Sequence, residues 1–478
     1  MDSGRSRADP NIARWCQVLT VAAAAHACGA LGAAHADTLD GALALAYRNN
    51  PGLNAQRAGT RATDENVPQA LAGYRPKVNI TATGGEQSLS TTLKQAAGST
   101  PPYLTASGYN SPFSVGLTMT QTLFNGFQTA NKTRQAEAQV LVARATLAAT
   151  VQNVLLNAVT AYMNLLRDGA VLELQKHNVE VLQEQLRQTR DRFNVGEVTR
   201  TDVAQAESSL AAGRSQVLTA QANFAASQAT YRQVIGVNPG KLGPGMPVDR
   251  FSPKTLSGAV ALGVAANPSV AAAQYSVDVA LRQVKVAEGA LLPNVSVQGN
   301  VQKNWLGVGS LSTMESYNAS VLGTLTVPVY QGGAEYSLIR QAKETLGQQR
   351  LSLDVARDQA RQNVVQTWGQ LQAAKANIEA TQAQVQAAEI ALNGVRMEAR
   401  VGQRTTFDVL TAQQTLVNAR VSLVTAQHDR VVASYTLLAA VGRLSPEVLG
   451  LRVPVYRPQV HYEQVRDAWA GARTTGGQ

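Results

Sequence analysis

Two long segments of the chain combine a helical periodicity with an absence of proline. No proline occurs between residues 113 and 238 or between residues 329 and 445, although the chain holds 17. In the first segment apolar residues alternate at spacings of four and three, the seam of a coiled coil: Leu147, Val151, Val154, Ala158, Ala161 and Leu165. Glycines at 126, 196, 332 and 402 bound two predicted helices of about 70 residues, each roughly 105 Å long.

Shorter helical stretches flank the long ones. They are predicted at 39–75, 196–236, 256–292 and 402–442. Two of them stacked end to end match one long helix, so we expect a tube of long helices alternating with stacked pairs. Asn50-Pro51 and Asn267-Pro268 have the residue types of an N-cap and a first helical position.

Between the helical stretches the hydrophobic period falls to two residues, which indicates β-strands with two different faces. The alternating positions fall in four groups: Val78, Ile80 and Ala82; Phe113, Val115, Leu117 and Met119; Val295 and Val297; Val321, Leu325, Val327 and Val329. Strands of ~10 residues can cross a membrane when tilted. Polar loops are predicted at 84–111 and 299–316, on one side only, as in outer-membrane barrels.

Four strands cannot close a barrel, and an open edge would leave backbone groups unpaired in lipid. The chain is therefore expected to assemble. Two copies would give about 8 strands and a filled interior, whereas three would give about 12 and room for a pore. A transport role favours three copies.

The chain is also duplicated. Residues 38–51 recur as 255–268, and Phe124-Asn125-Gly126 recurs as Tyr330-Gln331-Gly332, with one short insertion between residues 84 and 112. A repeat of about 200 residues is too long for a solenoid unit and predicts two similar halves of one body. The predicted divisions are a signal peptide (1–36), a first repeat (37–250), a second repeat (251–442) and a C-terminal periplasmic segment (443–478).

The first 36 residues have the features of a secretory signal. Arginines at 5, 7 and 14 precede an apolar core at 18–25, and Ala34-His35-Ala36 is a cleavage motif. Both cysteines, Cys16 and Cys28, lie in this segment. The mature chain is therefore expected to lack disulfides. The residues before Cys28 lack the usual leucine of a lipoprotein signal.

The charge balance is basic without being clustered. The net charge is +10 for the full chain, and about +9 once the leader is removed. No Lys/Arg cluster resembles a nucleic-acid patch, so no nucleic-acid partner is predicted. No stretch approaches the ~18 to 20 apolar residues of a spanning helix, which leaves strands as the means of membrane insertion.

Each long helix ends at a glycine that is followed by a Thr-x-x-Asp motif. The residues are Gly196 with Thr199 and Asp202, and Gly402 with Thr405 and Asp408. The structural interpretation is that the glycine forms a left-handed cap at the end of the long helix, and that Thr-x-x-Asp forms a capping box at the start of the helix that follows. The functional interpretation is that symmetry-related tips place rings of like charge at the mouth of a tunnel.

This ordered, duplicated set of motifs resembles the TolC-like outer-membrane efflux and secretion channels. The matching motifs are Leu39-x-x-Ala42-Leu43, Asn50-Pro51, Phe124-Asn125-Gly126, Tyr330-Gln331-Gly332-Gly333, Val195-Gly196 and Val401-Gly402. The resemblance implies a mixed α+β membrane protein in the outer membrane of a Gram-negative bacterium. It implies a homotrimer with a 12-stranded β-barrel, four strands per chain, continuous with a periplasmic α-helical coiled-coil barrel. It also implies docking with a periplasmic adaptor (membrane fusion) protein and an inner-membrane transporter.

The resemblance also implies roles for individual residues. Asp202 of the first tip and Arg404 of the second would hold the periplasmic mouth shut, with Asp408 as a constricting acidic ring. The helix-tip turns at Gly196, Thr199, Gly402 and Thr405 would meet the adaptor, and Gly126, Gly332 and Gly333 would form the strand-to-helix turns. The family's best-known gate has a tyrosine where Ala399 stands and an acid where Thr411 stands, so a looser gate is expected here.

Other classes of protein fit the sequence less well. His177, His428 and His461 have no partner at metal-ligand spacing, and residues 236–241 differ from a phosphate-binding loop in glycine spacing. No enzyme activity, metal or cofactor is therefore predicted. A periplasmic coiled-coil adaptor or a trimeric adhesin would also have long helices, but neither accounts for four duplicated strands.

The cargo is the least determined feature. The tail Tyr456-Arg457-Pro458, His461-Tyr462 and Trp469 looks like the ending of members that serve type I protein secretion. It makes export of a protein toxin or enzyme by an ABC transporter the first hypothesis. Multidrug efflux with a proton-driven pump is the alternative.

Overall fold

The computed structural model describes residues 38–94, 96–98, 100–308 and 312–474. The predicted signal peptide lies outside the described residues. The helices are α1 (Leu39–Asn49), α2 (Pro51–Asp64), α3 (Asn66–Leu71), α4 (Gln128–Asn194), α5 (Arg200–Ile235), α6 (Leu256–Ala266), α7 (Pro268–Gly289), α8 (Ala334–Arg400), α9 (Thr406–Ala440), α10 (Pro446–Leu449) and α11 (Pro458–Val465). Helices α4 and α8 have 67 residues each, or about 100 Å, which confirms the prediction of two long helices.

The shorter helices begin where the sequence places their caps. The Asn50 side chain accepts a hydrogen bond from Leu53 N–H at 3.1 Å, and Asn267 accepts one from Ser269 N–H at 2.9 Å. Both prolines occupy the first turn, where no N–H is needed. The two repeats then differ, because the first stack breaks at Glu65 whereas α7 continues unbroken for 22 residues.

Six strands are present in the described residues. They are β1 (Lys77–Gly84), β2 (Gln87–Lys94), β3 (Tyr103–Asn110), β4 (Phe113–Asn125), β5 (Asn294–Val308) and β6 (Ser312–Thr326). Four of them form an antiparallel sheet in the order β1-β4-β5-β6, and β2 pairs with β3. The four predicted strands are therefore confirmed as one sheet, with β1 and β6 at its edges.

The two polar loops predicted from the sequence are largely β-structure. Gly84 pairs with Phe113 and Gln87 with Asn110, so the register is unchanged from the β1–β4 ladder to the β2–β3 ladder. The β5–β6 pairing likewise continues to Val308. These predictions were wrong because serine, threonine, glycine and asparagine separate the few apolar residues of the hairpin extensions, so that hydrophobic alternation is too weak there to indicate a strand.

The end of the last strand also differs from the prediction. Strand β6 stops at Thr326, so the alternating residues Val327 and Val329 lie beyond it. Pro328 stands between them and has no N–H to donate to a ladder. The equivalent strand of the first repeat, β4, continues to Asn125, directly before the turn.

Residues paired directly across the strands share a face, and the two faces of the sheet differ in polarity. The apolar face carries Val78, Ile80, Phe113, Val115, Leu117, Met119, Val295, Val297, Val301, Trp305, Val321 and Leu325. The opposite, polar face carries Asn79, Thr81, Thr118, Thr120, Gln298, Asn300, Gln302, Ser320 and Thr324. Ile80 and Val321 are 76% and 78% exposed, so the protomer leaves the apolar face uncovered.

The main hydrophobic core surrounds the middle of α4. Leu155, Val159 and Tyr162 of α4 are fully buried against Leu438 of α9 and other apolar residues of both repeats. The Tyr162 hydroxyl donates to the Gly243 carbonyl oxygen at 2.7 Å. Five of the six predicted seam residues of α4 are buried, and Val151 packs against the same core, which confirms the seam.

The composition of α4 differs from the sequence-based expectation. This helix contains a window of 18 residues that is apolar enough to cross a membrane by length and composition, and α6 with α7 passes the same test across a 40° bend. About a third of the α4 window is buried inside the protomer. The middle of α4 supplies much of the main core, which accounts for its apolar character.

The C-terminal segment docks on the first repeat. His461 Nδ1 lies 2.9 Å from Asp64 Oδ2, and both side chains are buried. Burial raises the pKa of the Asp64 carboxyl. The Tyr456 N–H donates to the Tyr47 hydroxyl at 3.1 Å. The residues that resemble a type I secretion ending therefore make intramolecular contacts.

Candidate functional site at the helix tips

Both long helices end in the same backbone motif. In the first tip, Gly196 N–H donates to Phe193 O at 3.0 Å and Glu197 N–H donates to Arg192 O at 2.9 Å. This pair of bonds is a Schellman motif, which requires a left-handed residue. Gly196 has φ +80° and Gly402 has φ +79°, and the second tip repeats both bonds. The predicted glycine caps are confirmed.

The ascending helices begin with the predicted capping boxes. Thr199 N–H donates to Asp202 Oδ2 at 2.9 Å, and Asp202 N–H donates to Thr199 Oγ1 at 3.3 Å. In the second tip the corresponding bonds between Thr405 and Asp408 are 3.0 and 3.2 Å. Each box satisfies two N–H groups that a helix start leaves free.

The capping bonds stabilise the charged form of both aspartates. Bonds from the hydroxyl and backbone N–H of Thr199 lower the pKa of Asp202, and bonds from the backbone and hydroxyl of Thr405 lower the pKa of Asp408. A carboxylate with a lowered pKa contributes its stabilisation above its ordinary pKa and loses it as the pH falls through the lowered value. Both caps are therefore complete at neutral pH.

Each tip also contains an arginine–glutamate pair, which the sequence analysis missed. Arg192 Nε lies 3.0 Å from Glu197 Oε2 in the first tip, and Arg404 Nε lies 2.8 Å from Glu398 Oε2 in the second. The hydrogen bond from Arg404 to Glu398 raises the pKa of the guanidinium. The polarity is reversed between repeats, since the first turn carries the acid and the second carries the base. Alignment of the repeats places Arg192 opposite Glu398, which marks the helix member of each pair, but it places Glu197 opposite Gln403 and so does not mark the turn members.

The structure places Asp202 and Arg404 in different tips of one protomer. Among the described residues no ion pair joins them, because Asp202 is held by Thr199 and Arg404 by Glu398. The predicted pairing is thus not made inside one copy. It requires a rearranged tip or a contact between copies.

A buried polar contact joins the two helical hairpins above the tips. Gln413 of α9 receives a hydrogen bond from Arg396 of α8 at 3.0 Å, and its amide nitrogen lies 3.5 Å from Asn178 Oδ1 of α4. Asn178 is 2% exposed. Polar side chains inside a coiled coil fix the register of the helices, so this contact contributes to the register between the two hairpins.

The strand-to-helix turns differ between the repeats. Gly126 has φ +64°, and a Cβ on it would lie 2.2 Å from Gly289 O of α7. Gly332 and Gly333 also have positive φ, +66° and +83°, but nothing in the protomer lies within 4 Å of their added Cβ atoms. The turns are confirmed at all three positions, whereas the close approach is confined to the first repeat.

The histidines of the described residues lie apart from one another. No group of three or more His, Cys, Asp or Glu side chains in the described part of the chain could hold a metal ion. His177 is exposed beside Glu180, and His461 is engaged by Asp64.

The sequence matches the family model "Outer membrane efflux protein" over residues 42–237 and 263–443. It is 41% identical to the outer membrane efflux protein BepC of Brucella suis, over 93% of this chain and 94% of that protein. It is 24% identical to the alkaline protease secretion protein AprF of Pseudomonas aeruginosa, over 66% and 67% of the two chains.

The solved structures agree on the fold. The Campylobacter jejuni CmeC outer membrane channel superposes with a TM-score of 0.73 at 17% identity, covering 90% of this chain and 89% of that one. The predicted α+β fold class is confirmed, with four barrel strands and the long helices of a tunnel wall in the protomer. By the apolar-out, polar-in rule of outer-membrane barrels, we assign the apolar face of the sheet to lipid and the polar face to the lumen. The chain belongs to the outer membrane efflux protein family and is a non-enzymatic channel of the Gram-negative outer membrane with a periplasmic tunnel.

Proposed function

We propose that this channel is the exit duct of a three-part export system, docked to a periplasmic adaptor and an inner-membrane transporter. The observation that carries the proposal is the junction between barrel and tunnel. Strand β4 ends at Asn125 and α4 begins at Gln128, and the Asn125 side chain accepts a hydrogen bond from Thr129 N–H at 3.3 Å. A conduit this continuous extends about 100 Å from the membrane, far enough to meet partners in the periplasm.

Closure of the barrel supports a ring of three copies. Strands β1 and β6 each have one unpaired edge in the protomer. Pairing β6 of one copy with β1 of the next satisfies both edges, which lipid requires. Three copies give about 12 strands and a lumen that side chains do not fill.

The helix tips are the proposed docking surface for the adaptor. The turns at Gly196 and Thr199 and at Gly402 and Thr405 are exposed and lie farthest from the barrel along the helices. One turn presents Glu197 and the other Arg404. The alternating charges around a ring of tips would orient a partner by electrostatic complementarity.

The tips are also the proposed gate, formed by Asp202, Arg404 and Asp408. In the closed ring Arg404 would exchange Glu398 for Asp202 of another tip, while the Asp408 carboxylates narrow the mouth. The guanidinium is exposed, so one such pair contributes little. Several symmetry-related ion pairs would then hold the mouth closed together, and binding of an adaptor would break them.

The first test is single-channel conductance of the purified trimer in planar bilayers. We expect discrete steps for the wild type and larger steps for Arg404→Ser, because loss of the proposed pairs widens the resting mouth. Asp202→Asn should have the same effect while keeping an oxygen that can accept the capping bonds. Arg400→Ser is the matched control, since Arg400 is exposed at the same helix end and makes no ion pair among the described contacts.

Equal conductance in Arg404→Ser, Asp202→Asn and wild type would mean that neither residue closes the channel. Asp202 would then serve only as a helix cap and Arg404 only as a surface residue. This result would leave the channel itself intact. The absence of conductance steps from a folded wild-type trimer would instead contradict the exit duct.

Protein export by an ABC transporter is the first proposed cargo class. Similarity to the alkaline protease secretion protein AprF supports it, as does the tail resemblance. The tail contacts with Tyr47 and Asp64 lie on the first repeat, however, and give the tail a packing role. The transporter and the adaptor would therefore choose the cargo.

Small-molecule efflux is the second proposed cargo class. It is favoured by the 41% identity to the efflux protein BepC across almost the whole chain. A deletion strain separates the two. Loss of secreted proteins, restored by the wild-type gene, would support the first class, and increased sensitivity to drugs and bile salts with an unchanged set of secreted proteins would support the second.

A further inference from the structure

The lipid-facing surface of the sheet has a defined upper border. Trp305 and Phe113 lie with ring centroids 5.3 Å apart, and Lys303 pairs with Glu315 at 3.1 Å beside them. Aromatic and charged residues mark the interface at which hydrocarbon gives way to water. This border lies on the hairpin side of the sheet, away from the helices.

The lower border follows from the length of the apolar band. Along β5 the apolar face runs from Trp305 down to Val295, and ~10 residues of tilted strand cover the apolar band of about 25 Å. Val295 pairs with Leu325. The periplasmic interface therefore lies at the level of the first residues of β5, next to the strand-to-helix turns.

Arg75 lies at this lower level. The Gln121 side chain donates to Tyr74 O at 2.9 Å, and Gln121 pairs with Val297. Arg75 is thus held within a few residues of the bottom of the band, two positions before β1 begins. Tyr74 beside it is 52% exposed.

The C-terminal segment brings a tryptophan to the same place. Arg75 Nη1 donates to Ala468 O at 2.7 Å, and the guanidinium carbon of Arg75 lies 4.6 Å from the centroid of the Trp469 ring. The Trp469 side chain is nevertheless 72% exposed. A tryptophan ring that is fixed in position and left uncovered at this level is typical of the membrane interface, where tryptophan is enriched.

We propose that Trp469 and Arg75 form a phospholipid-binding anchor at the periplasmic interface of the outer membrane. The indole enters the headgroup region, where tryptophan is favoured, and Arg75 lies near the lipid phosphates. The tail that docks through His461 and Tyr456 thereby ties the first repeat to the membrane below the barrel. The Gln121 contact with Tyr74 O places this site at the lower border of the lipid-facing band, and this level favours lipid as the partner.

Fluorescence quenching tests the anchor. A variant with Trp305→Phe and Trp368→Phe leaves Trp469 as the only tryptophan after the predicted leader. The assembled trimer is placed in phosphatidylcholine vesicles whose acyl chains carry bromine either near the headgroup or near the bilayer centre. We expect strong loss of Trp469 emission with shallow bromine and a smaller loss with deep bromine. A variant that retains only Trp305 is the positive control.

Two results would overturn the proposal. Quenching of Trp469 by aqueous acrylamide but not by brominated lipid would place the indole in water. Insensitivity to both quenchers would place it against a neighbouring copy. If the double replacement fails to assemble, the difference between wild type and Trp469→Phe under the same quenchers gives the same comparison. Arg75→Gln should reduce lipid quenching while leaving the amount of assembled trimer unchanged.

Discussion

Gly126→Ala is expected to abolish assembly of the channel. The residue has φ +64°, and an added Cβ would lie 2.2 Å from Gly289 O and 2.8 Å from Leu292 Cβ. Gly289 is equally restricted, since its own Cβ would lie 2.4 Å from Gly126 O. Two backbones meet here at the junction of β4 and α4, so neither can move aside as a side chain would. The amount of heat-modifiable trimer in outer membranes measures the effect, and we expect a loss of roughly tenfold or more, as for severe overpacking.

Gly450→Ala is the matched control for this prediction. Gly450 has nearly the same φ, +68°, and nothing lies within 4 Å of its added Cβ. It therefore isolates the left-handed backbone penalty, about 1 to 2 kcal/mol. Trimer levels near wild type are expected for Gly450→Ala. Normal levels for Gly126→Ala as well would mean that the turn can relax and that the close approach is not essential.

Val301→Arg is expected to destabilise the barrel strongly, whereas Asn300→Arg is not. Val301 lies in the middle of the lipid-facing band, paired with Leu117 and Ala319. An arginine at the bilayer midplane of a barrel costs about 2 to 4 kcal/mol, and three copies would each carry one. Chemical unfolding of the trimer in vesicles measures this cost.

Asn300 supplies the control on the other face of the same strand. Its side chain accepts a hydrogen bond from Thr118 Oγ1 at 3.2 Å on the lumen side. Arginine there stays in water and should change conduction instead, shifting the reversal potential in a salt gradient toward anion preference. Equal destabilisation by both variants would contradict the assignment of the two faces.

The helices could be predicted from the sequence because their signals are local. Proline-free segments, a period of 3.5 and glycine stops predicted α4 and α8, and both have 67 residues. The capping boxes at Thr199 and Thr405 were equally predictable, since donor and acceptor lie three residues apart. Each of these features depends on neighbours within one or two turns.

The strands were only partly predictable. The alternation of apolar and polar residues indicated the lipid-facing segments, because one face of these strands is apolar. It missed β2, β3 and the outer parts of β5 and β6, whose pairing is set by register carried along the hairpin and not by burial. It also extended β6 through Val329, where Pro328 ends the ladder.

The residues proposed for the gate were located by sequence, but their contacts were not. Asp202, Arg404 and Asp408 all lie at the tips, as the motifs predict. The partner of Arg404 in the protomer is Glu398, which has no motif of its own. The buried contact of Gln413 with Asn178 joins residues 235 positions apart, and no local pattern marks it.

The sequence by itself determined the duplicated plan, the helix lengths, the caps and the two-faced strands, because each follows from backbone preferences and short-range spacing. The tertiary structure decided which of two similar turns is crowded. The backbone at Gly126 lies against Gly289, whereas nothing in the protomer lies within 4 Å of a Cβ added to Gly332. The tertiary structure also decided that the tail reaches Arg75. These outcomes depend on the positions of residues far apart in the chain, which packing fixes and a local pattern does not encode.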